Sequence, residues 1–163
     1  MAINDYHYAV LIGVIDNKIV LTKRSNNLKK FAGHVCLPGG KHECFDIDLV
    51  ATAIREFNEE VYFTGNIEPL FCLLPEFSPT ATSNLYPVVA KLYGTISGYN
   101  QDEVQRLFYL DLTDLNDCLF DINSEYPNII HNLCFKYCDE YIWGVTASIL
   151  KKICVLKELI YET

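Results

Sequence analysis

The chain has 163 residues, half of them hydrophobic and 21% charged, with a formal net charge of −8. That length and balance predict one folded domain over the whole chain and exclude a disordered polypeptide. The acidic total argues against a broad nucleic-acid surface, which needs a basic patch, and the longest apolar run, Tyr8 to Ile15, falls far short of the roughly 20 residues of a membrane span. Seven cysteines without a secretory pattern predict reduced thiols in an intracellular, cytoplasmic setting.

In chain order, Tyr8–Ile15 and Lys18–Thr22 predict two strands, with Asp16-Asn17 as the hairpin turn between them. A basic segment follows, in which Lys23, Arg24, Lys29 and Lys30 supply four of the thirteen Lys and Arg residues. Val35-Cys36-Leu37 predicts a short strand running into a turn at Pro38-Gly39-Gly40. After a loop over Lys41–Ile47 comes a helix from Asp48 to Val61, with Asp48 as N-cap. Leu49, Val50, Ala53, Ile54, Phe57 and Val61 recur at spacings of three and four and define its buried stripe.

Leu70–Leu74 and Leu85–Ser97 predict further strands around a loop at Ser78–Asn84. Tyr99–Arg106 is polar, Leu107–Leu110 reads as another short strand, Asp111–Leu119 as a short helix and Gly144–Ile160 as a terminal helix. Strands on both sides of a central helix predict an α/β (α+β) fold with a mixed β-sheet packed between helices.

The chemistry concentrates in Arg55-Glu56-Phe57-Asn58-Glu59-Glu60. Glu56, Glu59 and Glu60 stand at i, i+3 and i+4, so a helix gathers them on one edge beside the buried stripe. Arg55 lies one turn before Glu59 and can pair with it. Three crowded carboxylates repel one another unless a cation sits among them, and hard cations such as Mg²⁺ take oxygen ligands and bridge to phosphates. The plain alternative is a solvated charged helix face. Gly39 and Gly40 permit close backbone approach to a metal or phosphate, or simply make a turn. Lys23, Arg24, Lys29 and Lys30 fit an anion clamp or solubilising positions on an edge strand. His34-x-Cys36, His42-x-Cys44 and Cys134-x-x-x-Cys138 match no closed zinc site. Glu103 sits in a polar loop, and Trp143 is expected in the core.

The stretch from Gly40 to Phe63 resembles the Nudix box: Gly, five residues, Glu, seven residues, then Arg-Glu-apolar-any-Glu-Glu-any-Gly-apolar. Here Asp46 stands for the first Glu, the second gap is one residue longer, and Tyr62 replaces the last Gly. The longer gap is similar to the coenzyme A diphosphatase branch. So are Leu21-Thr22-Lys23-Arg24-Ser25 and Gly33-His34-Val35-Cys36-Leu37-Pro38-Gly39-Gly40 upstream. Tyr86-Pro87-Val88-Val89, Asn100-Gln101-Asp102-Glu103-Val104 and Ile142-Trp143-Gly144-Val145-Thr146-Ala147 extend the resemblance. Phe31 stands where that branch has His, and Leu37 where it has Phe.

The resemblance implies a Nudix-type α/β/α sandwich and hydrolysis of a nucleoside diphosphate derivative. Glu56, Glu59, Glu60 and the Gly40 carbonyl would ligate Mg²⁺ or Mn²⁺. Arg55 would position the glutamates, Asp46 would brace the loop, and a box glutamate or Glu103 would be the general base. Lys23, Arg24, Lys30 and Gly39 would bind substrate. The favoured substrate is coenzyme A or acyl-CoA, cleaved to 3′,5′-ADP and 4′-phosphopantetheine. A nucleotide sugar, a dinucleotide or capped RNA are the other substrates, and a non-catalytic nucleotide sensor is the rival class. The partner expected is a small nucleotide, without a membrane and without other nucleic acid, and a homodimer is left open.

Overall fold

The computed structural model describes residues 6–29, 31–78, 83–116, 120–122 and 133–161. Its first strands are β1 Tyr6–Ile15, β2 Lys18–Arg24, β3 Val35–Cys36 and β4 Gly39–Lys41. Helix α1 spans Leu49–Glu60 and is followed by β5 Val61–Cys72, β6 Glu76–Ser78, β7 Ser83–Tyr99 and β8 Val104–Asp111. A 3₁₀ turn at Asp114–Asn116 precedes β9 Asp121–Ile122, β10 Leu133–Tyr137, β11 Glu140–Trp143 and helix α2 Gly144–Tyr161. Lys30, part of the expected loop after Ser78 and the last residues of the expected Asp111–Leu119 helix lie outside the described residues. Among the described residues no helix is long and apolar enough to cross a membrane.

These elements form two compact units. The first comprises the described residues up to Val14 together with Leu37–Asn100; the second comprises Ile15–Cys36 together with the described residues from Gln101 onward.

In the first unit β1 runs parallel to β7, while β4 pairs antiparallel with β1 and β5 antiparallel with β7. The sheet is therefore mixed. Ala9 to Val14 is buried without interruption, as a strand paired in parallel and covered on both faces requires. Helix α1 starts where the sequence predicts: Asp48 is extended and its carboxylate accepts from Ala51 N at 2.7 Å. Ala53, Phe57 and Val61 form the buried line, but Leu49, Val50 and Ile54 are only half-buried, and Thr52 and Glu60 take buried places instead. The Phe57 ring is fully enclosed and meets Phe63 edge-on at 6.0 Å; truncating such a ring to Ala costs about 3–5 kcal/mol.

Two expectations are corrected here. The Pro38-Gly39-Gly40 segment is not a turn: Gly39 and Gly40 lie in β4, opposite Val10 and Ala9. Neither glycine has positive φ. Closeness is what requires them, since a Cβ on Gly39 would run into the β1 backbone at Ala9 and Val10. The second correction concerns the strand after the helix, which begins at Val61 rather than Leu70. Val61 caps α1, its N–H reaching Phe57 O, and is already extended at φ −119° and ψ 125°. With no left-handed residue at this exit, Tyr62 can stand where the Nudix box has Gly.

In the second unit β2 lies between β3 and β8, antiparallel to both, and β10 lies between β9 and β11. The last three strands are not expected from the sequence. The β10–β11 turn at Cys138-Asp139 has φ of 50° and 63°; Cys-Asp carries the left-handed turn without the Asn-Gly signature that would announce it. Asp16-Asn17 has φ of 50° and 64°, the primed geometry its composition predicts. Strand β8 starts at Val104, three residues before the expected Leu107. Helix α2 buries Thr146, Ala147, Ile149, Leu150 and Ile153. Trp143, expected in the core, is only half-buried.

Candidate active site

Arg55 organises the acidic edge of α1. Its Nε and Nη2 donate to the two oxygens of Asp46 at 2.8 and 2.9 Å. The other Nη2 hydrogen reaches Lys41 O at 3.0 Å, and Nη1 donates to Glu56 Oε1 at 3.0 Å and Glu59 Oε1 at 3.2 Å. A guanidinium has five N–H donors, and these contacts occupy all five. The loop 41–46 is thereby tied to the helix carrying the glutamates. The Phe45 ring lies 5.2 Å from the guanidinium carbon.

Asp46 is the anchor of this arrangement. Its side chain is almost wholly enclosed and accepts from Glu43 N at 2.9 Å and Thr52 Oγ1 at 2.9 Å besides Arg55. The Arg55 hydrogen bonds come first in holding its carboxyl far below the ordinary aspartate range, with Glu43 N–H and Thr52 adding to them against the effect of burial. Arg55 is in turn held more firmly protonated, by Asp46 first and then by Glu59 and Glu56. Aspartate in place of the box glutamate thus keeps a two-pronged pairing with arginine.

The three glutamates meet different surroundings. Glu59 is half exposed and Glu56 is largely enclosed. Glu60 is buried, and its Oε2 accepts from Gly39 N at 3.0 Å. Gly40 lies against the Glu56 carboxylate so closely that a Cβ on it would overlap the carboxyl carbon. The helix end is pinned as well, since Asn100 N donates to Glu60 O at 2.9 Å. Gly39, Gly40, Asp46, Arg55, Glu56, Glu59 and Glu60 therefore come together within the first unit. Among the described residues no three His, Cys, Asp or Glu side chains already converge on one point as a metal cage, because Arg55 and Gly39 N–H hold the carboxylates. The donor chemistry nonetheless fits a hard divalent cation: the available groups are carboxylate oxygens and a glycine backbone with no Cβ to block approach.

His42 and Thr52 went unassigned in the sequence. His42 Nδ1 lies 2.7 Å from Thr52 Oγ1, and His42 N donates to His7 O. The residue pair Thr52-Arg55, both reaching Asp46, was the available signal. The cysteine of His42-x-Cys44 is exposed, and the six described cysteines are all free.

The remaining predicted residues belong to the second unit. Lys23 Nζ donates to Glu140 Oε1 at 2.8 Å, and Arg106 Nη2 shares that oxygen at 3.1 Å. Lys23 and Arg106 are cross-strand partners in β2 and β8, with a register shift between Lys23 and Arg24. Glu140 thus neutralises part of the expected anion clamp, and no sequence spacing announced it. Arg24 is bound through its backbone, donating to His34 O at 2.8 Å and accepting from Gly33 N at 3.1 Å. Glu103 sits in a turn and its carbonyl accepts from Ser25 N at 2.9 Å.

The first unit thus sets an arginine-organised row of carboxylates on α1 beside the glycine strand β4. A profile of the NUDIX domain matches residues 5–133, and the chain belongs to that family. Nudix hydrolases are pyrophosphohydrolases that act on small nucleotide substrates and generally use divalent metals. The chain is 29% identical over 157 residues to the uncharacterized Nudix hydrolase NudL of Yersinia enterocolitica, across 92% of this chain and 80% of that one. It is 32% identical over 154 residues to NudL of Yersinia pestis, across 89% and 76%. In fold it is similar to a NUDIX hydrolase from Nitrosomonas europaea, with a TM-score of 0.56 and 23% identity over 68% of this chain and 59% of that one. It is also similar to a bifunctional NMN adenylyltransferase/ADP ribose pyrophosphatase from Francisella tularensis, with a TM-score of 0.59 and 13% identity over 95% and 41%.

Proposed function

We propose that this Nudix hydrolase cleaves the diphosphate of coenzyme A or acyl-CoA, releasing 3′,5′-ADP and (acyl-)4′-phosphopantetheine. The reading is carried by the lengthened box and its resemblance to the coenzyme A diphosphatase branch; across that longer gap Asp46 still pairs with Arg55 at 2.8 and 2.9 Å. The upstream Leu21–Ser25 and Gly33–Gly40 signatures support the same branch.

Glu56, Glu59, Glu60 and the Gly40 carbonyl would hold Mg²⁺ or Mn²⁺. The cation, when bound, supplies charge neutralisation at the diphosphate and acidifies the attacking water. Arg55 draws Glu56 and Glu59 to one guanidinium nitrogen and so keeps the two carboxylates side by side. Glu59, the most open of the three, takes the water proton as general base; Glu103 is the alternative acceptor. Water oxygen bonds to phosphorus, the anhydride P–O bond breaks, and the second phosphate leaves as an anion. Lys23, Arg24, Lys30 and Gly39 are assigned to substrate binding, and the free thiols support a reducing compartment.

The test is a substrate panel with product identification in Mg²⁺ and in Mn²⁺. Coenzyme A should yield 3′,5′-ADP faster than ADP-ribose, a dinucleotide or capped RNA is cleaved. Faster release from any of these three moves the assignment to that substrate, and tight nucleotide binding without turnover would make the chain a sensor.

A further inference from the structure

Phe45 is the bulkiest side chain of the loop 41–47, and it stands 68% exposed. The backbone holds it there. Asp46 N donates to Glu43 O at 3.0 Å, and Glu43 N donates to Asp46 Oδ2 at 2.9 Å. This reciprocal pair closes a turn with Cys44 and Phe45 at its centre. Asp46 is itself enclosed and holds Arg55 on both carboxylate oxygens. The ring is therefore fixed beside the residue that anchors Arg55, and every residue involved belongs to the first unit.

A single exposed apolar side chain is ordinary. The placement of this one is not, because the guanidinium carbon of Arg55 lies over its ring, 5.2 Å from the centroid. The five N–H donors of Arg55 point outward in the plane of the fork, and all are taken up by Asp46, Lys41 O, Glu56 and Glu59. What remains of the group is its two flat faces, which form no hydrogen bonds and are weakly hydrated. An aromatic ring is the surface that suits such a face. Ile47, on the other side of Asp46 and 91% exposed, gives the contrast, since it has no flat surface to offer.

We propose that Phe45 is a positioning residue for the acidic edge of α1: its ring covers one face of the Arg55 guanidinium, shuts water from that face, and so holds the fork in the plane from which it draws Glu56 and Glu59 together. This rests on the reading of those two glutamates as cation ligands and adds what steadies the residue that gathers them. Without the ring the guanidinium tilts more freely, the two carboxylates part more easily, and a cation between them is held less tightly.

The full chain offers a reporter for each step. Exchange of the Arg55 Nε–H proton with water, followed by nuclear magnetic resonance and assigned by its loss in Arg55→Lys, reports on the fork without any metal. Mn²⁺ affinity, from the electron paramagnetic resonance of the free ion, reports on the carboxylates. Phe45→Ala should speed the exchange and raise the Mn²⁺ dissociation constant, each about two- to fivefold, the range expected of a cation–π contact near the surface. Phe45→Tyr should restore both. Phe45→Leu keeps apolar bulk without a flat ring and should resemble Phe45→Ala, whereas Ile47→Ala should resemble wild type. Thermal melting confirms that each variant is folded. Unchanged exchange in Phe45→Ala, full recovery with leucine, or an equal effect of Ile47→Ala would each overturn the stacking contact. Faster exchange with unchanged Mn²⁺ affinity would overturn the positioning role. If wild type binds no Mn²⁺ while the exchange still responds to Phe45, the reading of Glu56 and Glu59 as ligands falls and the hold of Phe45 on Arg55 stands.

Discussion

Arg55 and Lys23 are both cations facing carboxylates, yet their settings differ in kind. Arg55 uses every donor on five acceptors within twenty residues of itself, and Asp46 and Thr52 seal the cluster. Lys23 makes one close pair, with a glutamate 117 positions away that it shares with Arg106. The first is a hub built around an enclosed carboxylate, Asp46; the second is a partly exposed bridge. The difference teaches where precision resides: the hub fixes the carboxylates of the helix edge, and the bridge balances charge between two strands.

The largest expected effect lies in the hub. Glu59→Gln removes a proposed ligand and base while leaving the helix intact, and turnover should fall roughly 10³-fold or more, since each 1.36 kcal/mol of lost transition-state stabilisation is tenfold. Near-normal kcat with unchanged melting would break the assignment. Next comes Gly40→Ala. Its methyl would displace the Glu56 carboxylate, and metal dependence titrated against kcat should show an activation constant raised about 10–100-fold. Gly39→Ala makes the contrast, because its methyl meets the β1 backbone and should lower Tm rather than metal affinity alone.

Asp46→Asn should cost about 10–100-fold in kcat/KM as a positioning residue, with Asp46→Glu recovering part of it. It also carries a pH signature. The folded state holds the Asp46 carboxyl below its ordinary value through Arg55 first. That contribution to stability is complete above the unfolded value near about 4 and disappears as pH falls through the lower folded value. Wild-type melting should therefore decline in acid by a component that Asp46→Asn lacks; parallel Tm curves for the two would refute it. The smallest effect belongs to the bridge. Glu140→Gln leaves Lys23 and Arg106 facing each other across β2 and β8, and the cost in chemical denaturation should stay below about 1 kcal/mol. Added salt should erase it, and a salt-insensitive loss would show that the bridge is more than charge balance.

Much of the hub was legible. The helix, its Asp48 cap and the grouping of Arg55 with the glutamates all follow from local periodicity, because neighbours on a helix are fixed by spacing. The burial of Glu60 was not, because its partner is a backbone N–H brought up by β4. Gly39-Gly40 signalled a turn by composition, and only the sheet reveals that closeness to β1 and to Glu56 demands glycine there. The strands β9 to β11 escaped notice because Cys138-Asp139 carries no hairpin signature and the strands are short.

The motifs were enough for the family, and helical spacing was enough for the acidic edge of α1, since both depend on residue type at short range. Tertiary structure alone decided which partners hold each charge. Glu140 reaches Lys23, Gly39 reaches Glu60, and Trp143 meets His34 across separations that no local pattern encodes. Covalent spacing fixes neighbours along a helix, whereas contacts between distant strands are fixed by how the sheets register.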